Sequence, residues 1–188
     1  MTKTIDYYMS PSSPWTYLGH ARFAALAKKH GATVNVKPVD FGVIFPQSGG
    51  LPVAKRAPQR QAYRLVELKR WSEHLGVPLV IHPRHFPVDA TLAAELICGA
   101  PETQRMALAG ELLSALWKDD RNLADPALLQ EIGRSHGVSA GDRTAFAAYT
   151  QEALARQVFG APSYVYRGEI FWGQDRLELL ERALAKSQ

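Results

Sequence analysis

Ser10-Pro11-Ser12-Ser13-Pro14-Trp15-Thr16-Tyr17-Leu18 is the stretch on which the fold reading turns. The segment before it, Thr4-Ile5-Asp6-Tyr7-Tyr8-Met9, is β-branched and aromatic and reads as a strand. After it, Tyr17, Leu18, Phe23, Leu26 and Ala27 recur at helical spacing as far as His30 and Gly31. The stretch is therefore a strand-to-helix turn, with Ser13 at the N-cap and Pro14 at the first helical position. Proline suits that position because its missing N–H would have had no partner there. A helix start presents free N–H groups and a partial positive charge, so it favours an anion. Ser13 either caps the helix alone or also holds the anionic atom of a ligand, and the local sequence leaves both open.

The chain has 188 residues, which fits one domain or one domain carrying a large insertion. That length buries a substantial core without disulfides or metals. A hydrophobic fraction of 46% and a charged fraction of 21% are ordinary for a soluble globular protein. The net charge of +4 permits an anionic ligand. No block of consecutive basic residues exists, so nucleic acid is not indicated. No apolar segment precedes the first strand, and no run approaches the roughly 18 apolar residues of a membrane span. A cytoplasmic protein away from the membrane is expected. The single cysteine, Cys98, excludes an intramolecular disulfide and a Cys-x-x-Cys pair. It lies among Ala94, Leu96 and Ile97 and reads as a buried, inert thiol. His82 and His85 form His-x-x-His without an acidic or cysteine partner nearby, so no metal is expected.

Thr33 to Val39 alternates and is β-branched, a second strand that makes a β-α-β unit favouring parallel pairing. Residues 40 to 58 hold Gly42, Pro46, Gly49, Gly50, Pro52 and Pro58 and read as a long irregular segment. Helical patterns follow from Gln59 to Leu75, with Tyr63, Val66, Leu68 and Trp71 near one face. Further helices are read from Ala90 to Ile97, with Asp89 as cap, and from Pro101 to Lys118. Two more run from Pro126 to Arg134 and from Asp142 to Val158. Ser163 to Tyr166 and Glu169 to Phe171 read as strands joined at Arg167-Gly168, followed by a turn and a last helix through Leu177, Leu180 and Leu184. The order β-α-β, helical block, β-β-α describes an α/β protein, a thioredoxin-like fold with a large α-helical insertion. Residues 1–46 and 159–188 form the thioredoxin-like part and 47–158 the insertion.

In a thioredoxin-type oxidoreductase the first strand-to-helix turn carries Cys-x-x-Cys with a low-pKa thiolate. Here Ser13-Pro14-Trp15-Thr16 puts two hydroxyls in the place of two thiols. Dithiol chemistry is lost, and what remains suits the thiolate of another molecule, glutathione being the candidate.

Three motifs then carry a resemblance. They are Ser13-Pro14-Trp15-Thr16-Tyr17-Leu18; Arg70-Trp71 with Gly76-Val77-Pro78; and Phe159-Gly160-Ala161-Pro162 continuing through Phe171-Trp172-Gly173-Gln174-Asp175-Arg176-Leu177. With them the chain resembles the 2-hydroxychromene-2-carboxylate isomerase family, close kin of the kappa-class glutathione transferases within the DsbA-like group. The resemblance implies that Ser13 hydrogen-bonds the glutathione sulfur and lowers its pKa. It implies a cis Pro162 with Ala161 pairing its main chain to glutathione, and Gly173, Gln174 and Asp175 receiving the γ-glutamyl end. The family usually carries Val before this proline, so Ala161 is a mild departure that keeps a backbone contact. For the second substrate, Lys55, Arg56, Arg60, Tyr63 and Arg64 are the candidates, with Trp15 and Phe41 as apolar walls. A carboxylated aromatic compound needs a cation and an aromatic-lined pocket. No counterpart stands in the 46–60 loop for an Asn associated with the substrate in these isomerases. The implied activity is a glutathione-dependent isomerisation, with a kappa-type transferase or a non-catalytic binding protein as alternatives, and kin imply a homodimer.

Overall fold

The computed structural model describes residues 3–186. Met1-Thr2 and Ser187-Gln188, included in the expected spans 1–46 and 159–188, lie outside the described residues. Strands β1 (Thr4–Met9), β2 (Thr33–Pro38), β3 (Ser163–Tyr166) and β4 (Glu169–Trp172) form one sheet in the order β2-β1-β3-β4. β1 and β2 are parallel, as a β-α-β crossover through α1 (Pro14–Lys29) requires, and the other two pairings are antiparallel. The β3–β4 hairpin closes on Arg167 and Gly168, both at positive φ (53° and 82°). That is the geometry that matches the twist of its flanking strands. The sheet and its helical complement are those of a thioredoxin-like α/β fold, as the element order predicts.

Alternation along β1 sends its side chains to opposite faces. Ile5, Tyr7 and Met9 face a core shared with Phe23 of α1, Leu112 and Trp117 of α5 (Glu102–Trp117), and Leu180 of α8 (Leu177–Ala185). Tyr8 and Val165 face a smaller cluster with Ile44 of α2 (Phe41–Ser48) and Ala153 of α7 (Arg143–Ala155). The larger core runs without a break from the sheet into the helical block. α2 itself crosses position 46/47, where the sequence divides the two parts.

The segment 40–58 corrects the sequence reading, because it is not irregular throughout. Asp40 accepts from the Gly42 N–H at 2.7 Å and starts α2, and Gly49 at φ +74° ends it. Pro46 removes one donor from this short helix without preventing it. A 3₁₀ turn, Val53–Lys55, then leads to α3 (Pro58–Leu75). On α3 the buried face is also not the expected one. Arg64 and Leu68 point inward, while Tyr63 (58% exposed) and Val66 (44%) face outward. An inward arginine on an otherwise polar helix hides the true stripe from a hydrophobic pattern. The block is completed by α4 (Thr91–Gly99) and α6 (Pro126–Ser135), close to their expected limits.

Charge and aromatic contacts lock the layers together. Tyr7 stacks on Tyr164 with ring centres 5.3 Å apart, and Phe23 lies 4.7 and 4.4 Å from those two rings. Such pairs add about 0.5–1.5 kcal/mol beyond their area burial. On the other face Lys37 reaches Asp6 at 2.9 Å and Glu152 at 2.8 Å, and Arg156 binds both carboxylates, tying α7 to the sheet. His20 of α1 is buried, with Nε2 2.9 Å from the Met106 carbonyl and Nδ1 3.2 Å from the Tyr7 hydroxyl. A carbonyl only accepts, so Nε2 carries the proton and Nδ1 accepts from Tyr7.

Burial lowers the His20 pKa, against a smaller opposing effect of the Met106 bond. The unfolded imidazole therefore takes up a proton at higher pH than the folded one. Stability is predicted to fall as pH drops below the ordinary value of 6.5, by up to about 1.4 kcal/mol per pH unit until the folded pKa is passed. Urea unfolding of wild type and His20→Gln between neutral pH and pH about 5 checks this; the step is expected to vanish in the variant.

Candidate active site

The start of α1 is built as its sequence demands. Ser13 is extended (φ −85°, ψ 122°), and its Oγ accepts from the Thr16 N–H at 3.2 Å. Its own N–H donates to the Ser10 carbonyl at 3.1 Å, while its carbonyl accepts the first helical bond from Tyr17 at 3.0 Å. Pro14 has no N–H, so the Trp15 N–H is the first-turn donor that this cap does not take up. Ser13 is half-buried, and the hydroxyl of Thr16 one turn on is fully buried without a hydrogen-bond partner. The Ser13 O–H remains free to donate elsewhere, because the cap uses only its acceptor side.

Sheet register brings the second segment to the same place. Tyr8 of β1 stands opposite Ser163 of β3, so Pro162 falls beside the end of β1, where the Ser10–Ser13 turn begins. The Ala161–Pro162 peptide is cis, and the Ser163 hydroxyl donates to the Gly160 carbonyl at 2.7 Å. A second cis peptide, Phe86–Pro87, lies in the helical block. The Gly173 N–H donates to the Pro162 carbonyl at 2.8 Å, which places the 173–175 turn against the cis-proline. Gly173 sits at φ +102°, and a Cβ there would meet Asp175 Oδ1 at 2.5 Å. The backbone angle favours glycine here, whereas the exposed Asp175 side chain could swing aside from a Cβ.

Ser13, Ala161, Pro162, Gly173, Gln174 and Asp175 accordingly gather at one end of the sheet. Their side chains are not equivalent. Gln174 is buried, and its side-chain carbonyl accepts from Arg22 of α1 at 2.8 Å, so its side chain is turned away from the turn's open edge. Asp175 is exposed and pairs with the adjacent Arg176. Arg22, 152 residues from Gln174, holds this side chain and is not among the residues that the sequence singles out. Nothing in local spacing could have revealed it. Gly19 makes that seam possible, since a Cβ on it would lie 2.8 Å from Gln174 Cβ and 3.1 Å from the Tyr164 hydroxyl.

The candidates for a second ligand separate by burial. Lys55, Arg60 and Tyr63 are exposed. Trp15 is half-buried against the larger core, and Phe41 lies tilted against Phe45, ring centres 5.3 Å apart, beside the smaller cluster. Arg56 is half-buried and donates through Nε to the Leu51 carbonyl at 2.8 Å. Arg64 is only 9% exposed, with its guanidinium 5.0 Å from the Phe86 ring and 6.0 Å from Trp117. Burial, then the charge of Arg56, pushes its pKa down to about 10. Cys98 on α4 is buried and its thiol is pushed up to about 12, chiefly by that burial. It plays no part in this region's chemistry. Among the described residues no group of three or more His, Cys, Asp or Glu gathers to hold a metal, and no helix is long and apolar enough to cross a membrane.

A mixed four-stranded sheet, a helix beginning at the end of its first strand, and a cis-proline beside that helix start define a thioredoxin-class protein. The chain belongs to the DSBA-like thioredoxin domain family, which it matches over residues 4–185. It is similar to the 2-hydroxychromene-2-carboxylate isomerase of Pseudomonas putida, at 30% identity over 195 residues that span 97% of this chain and 94% of the relative. The solved structure of a selenomethionine 2-hydroxychromene-2-carboxylate isomerase superposes with a TM-score of 0.78 at 26% identity, covering 97% of this chain and 95% of that one. The cytosolic disulfide reductase DsbM from Pseudomonas aeruginosa with GSH shares the fold, with a TM-score of 0.64 at 20% identity over 97% of this chain and 99% of that one.

Gly173→Ala is expected to destabilise the protein by about 1–3 kcal/mol through backbone strain. It should also displace the Asp175 carboxylate. Chemical denaturation gives the first quantity. A Gly168→Ala variant, strained at φ +82° with open space around it, separates strain from the clash with Asp175.

Proposed function

We propose that this protein is an isomerase of the 2-hydroxychromene-2-carboxylate type that works with glutathione. The observation that carries the reading is the Ser13 hydroxyl at the head of α1, beside cis-Pro162, in a chain whose only thiol is buried elsewhere. Likeness to 2-hydroxychromene-2-carboxylate isomerases along nearly the whole chain supports the substrate type. The residues present fit glutathione. Ser13 O–H and the spare first-turn N–H of Trp15 suit a sulfur anion, and the main chain at Ala161 suits a peptide. The Gln174 and Asp175 N–H groups of the 173–175 turn suit a carboxylate, with the Asp175 side chain for an ammonium. When bound, glutathione supplies a thiolate that adds reversibly to a conjugated substrate, allows rotation about the bond it adds across, and leaves unchanged.

The chain's own residues then have distinct tasks. Ser13 donates its hydrogen to the sulfur and favours the ionised form, because a hydrogen bond to a charged acceptor is stronger than one to its neutral form. Ser13 is not the attacking atom. Gly173, Gln174 and Asp175 hold the γ-glutamyl end, with Arg22 fixing the Gln174 side chain. Trp15 gives an apolar wall, while Lys55, Arg60, Tyr63 and Arg64 face the anionic second substrate. The reading extends to a cytoplasmic homodimer, a compartment in which reduced thiols prevail.

The test is glutathione titration by calorimetry and by the ultraviolet absorbance of bound thiolate near neutral pH, in wild type, Ser13→Ala and Ser13→Gly. Glycine is itself an acceptable N-cap. Ser13→Ala is therefore expected to lose about 0.5–2 kcal/mol of stability and Ser13→Gly only a few tenths. Both are expected to lose the thiolate signal. Substrate turnover should yield an isomer with glutathione regenerated, whereas a thioether product would indicate a transferase. Folded wild type that does not bind glutathione overturns the reading.

A further inference from the structure

β4 is an edge strand, and register decides which of its backbone groups are free. Ser163 stands opposite Trp172, so Pro162 stands opposite Gly173, and the Gly173 N–H donates to the Pro162 carbonyl at 2.8 Å. Hydrogen-bonded pairs alternate along an antiparallel ladder, so Phe171 and Glu169 are the residues of β4 that bond to β3. Ile170 and Trp172 turn their N–H and C=O groups outward. Among the described residues none takes up these groups. An edge of this kind is a template for a further strand unless something guards it.

The surroundings of the edge are apolar and basic. Ile170 packs with the smaller cluster and Phe171 with the larger, so α8 lies on one face of the edge and the Trp172 side chain on the other. Trp172 is 50% exposed, lies edge-on to Phe159 with ring centres 4.8 Å apart, and rests on Gly160, where a Cβ would collide with the indole nitrogen. A cleft of about 480 Å³ runs between the strand and α8, bordered on the helix by Leu179, Arg182 and Lys186. Arg182 and Lys186 are four apart, on one helix face. Both are exposed, and neither side chain has an acidic partner among the described residues, whereas Arg176 at the end of the cleft is paired with Asp175. Glu169 is the acid that lines the cleft.

These charges select the occupant. A two-fold contact presents the same patch to itself. A second copy would therefore set Arg182 and Lys186 against their own counterparts, in a chain of net charge +4. A segment with acidic side chains meets no such repulsion. We propose that the β4 edge docks an extended, acidic segment of another protein as a fifth strand of the sheet. The main chain of that segment pairs with Ile170 and Trp172. Alternate side chains fall on one face, so carboxylates at every second position meet Arg182 and Lys186. The side chains between them lie on the opposite face, against the Trp172 indole.

The probe is a fluorescein-labelled heptapeptide of alternating glutamate and valine, with the lysine–valine peptide as control, followed by fluorescence polarisation at low salt. Wild type is expected to bind the glutamate peptide and not the control. Arg182→Glu combined with Lys186→Glu is expected to weaken that binding about tenfold or more, since both exposed charges are reversed. Ile170→Pro removes one outward N–H without breaking the ladder to β3, and it is expected to abolish binding. Amide hydrogen exchange reads the pairing in the unaltered protein: the peptide is expected to slow exchange at Ile170 and Trp172 and to leave Phe171 as it was. Cations that serve only to keep other strands away predict no binding of the glutamate peptide by wild type, and that result overturns the proposal. Equal affinity for the two peptides does so too, as does binding that leaves exchange at Ile170 and Trp172 unchanged. Protection of these two amides by a dimer, without peptide, would assign the edge to a second copy instead.

Discussion

In the β1–β3 ladder Ile5 stands opposite Tyr166 and Tyr8 opposite Ser163. This register brings two segments about 150 residues apart in the chain to one sheet end. From it follow the position of Pro162 beside the Ser10–Ser13 turn, the bond from the Gly173 N–H to the Pro162 carbonyl, and the seating of the 173–175 turn. A slip of one residue would send Tyr7 and Tyr164 to the wrong face. Their stack with Phe23, which holds α1 on the sheet, would be lost with it. The same aromatic group thus stabilises the fold and aims the helix start.

The two sides of the site are held by different physics. On the Ser13 side the backbone at the turn is satisfied locally, by a cap, a turn bond and a strand pairing, while the Thr16 hydroxyl is buried without a hydrogen-bond partner. The helix start there keeps unused donors because a helix cannot satisfy its own first N–H groups. On the α3 side, positive charge is concentrated and one cation is buried against aromatic rings. Stability alone would not favour that arrangement. Lys37, half-buried, is by contrast fully engaged by Asp6 and Glu152.

Membership of the DSBA-like thioredoxin family sits beside a Ser13-Pro14-Trp15-Thr16 turn in place of paired thiols. Replacing a thiol with a hydroxyl removes redox chemistry and leaves the helix field intact. The same backbone that would lower the pKa of its own cysteine is then suited to a sulfur that arrives with a ligand. Cys98 does not substitute, since burial on α4 holds its thiol in the protonated form.

Much of this was legible in the chain itself. The strand before Ser10, the Pro14 helix start, the Arg167-Gly168 hairpin and the punctuation at Gly160-Ala161-Pro162 each follow from local steric and hydrogen-bonding rules. Their order determines a thioredoxin-like topology, and the cis-proline falls where the motif puts it. Segment 40–58 was misread because Gly and Pro mark turns on average, whereas Asp40 and Gly49 cap a short helix despite Pro46. Arg64 could not be told from Lys55, Arg60 or Tyr63, because charge and spacing carry no information on burial. Tertiary packing alone turned Arg64 inward onto Phe86 and Trp117, and turned Gln174 toward Arg22. Local sequence determined which elements form and where they start. Which polar side chains are withdrawn from water, and which are left seeking a partner, depends on surfaces that meet only after the chain has folded.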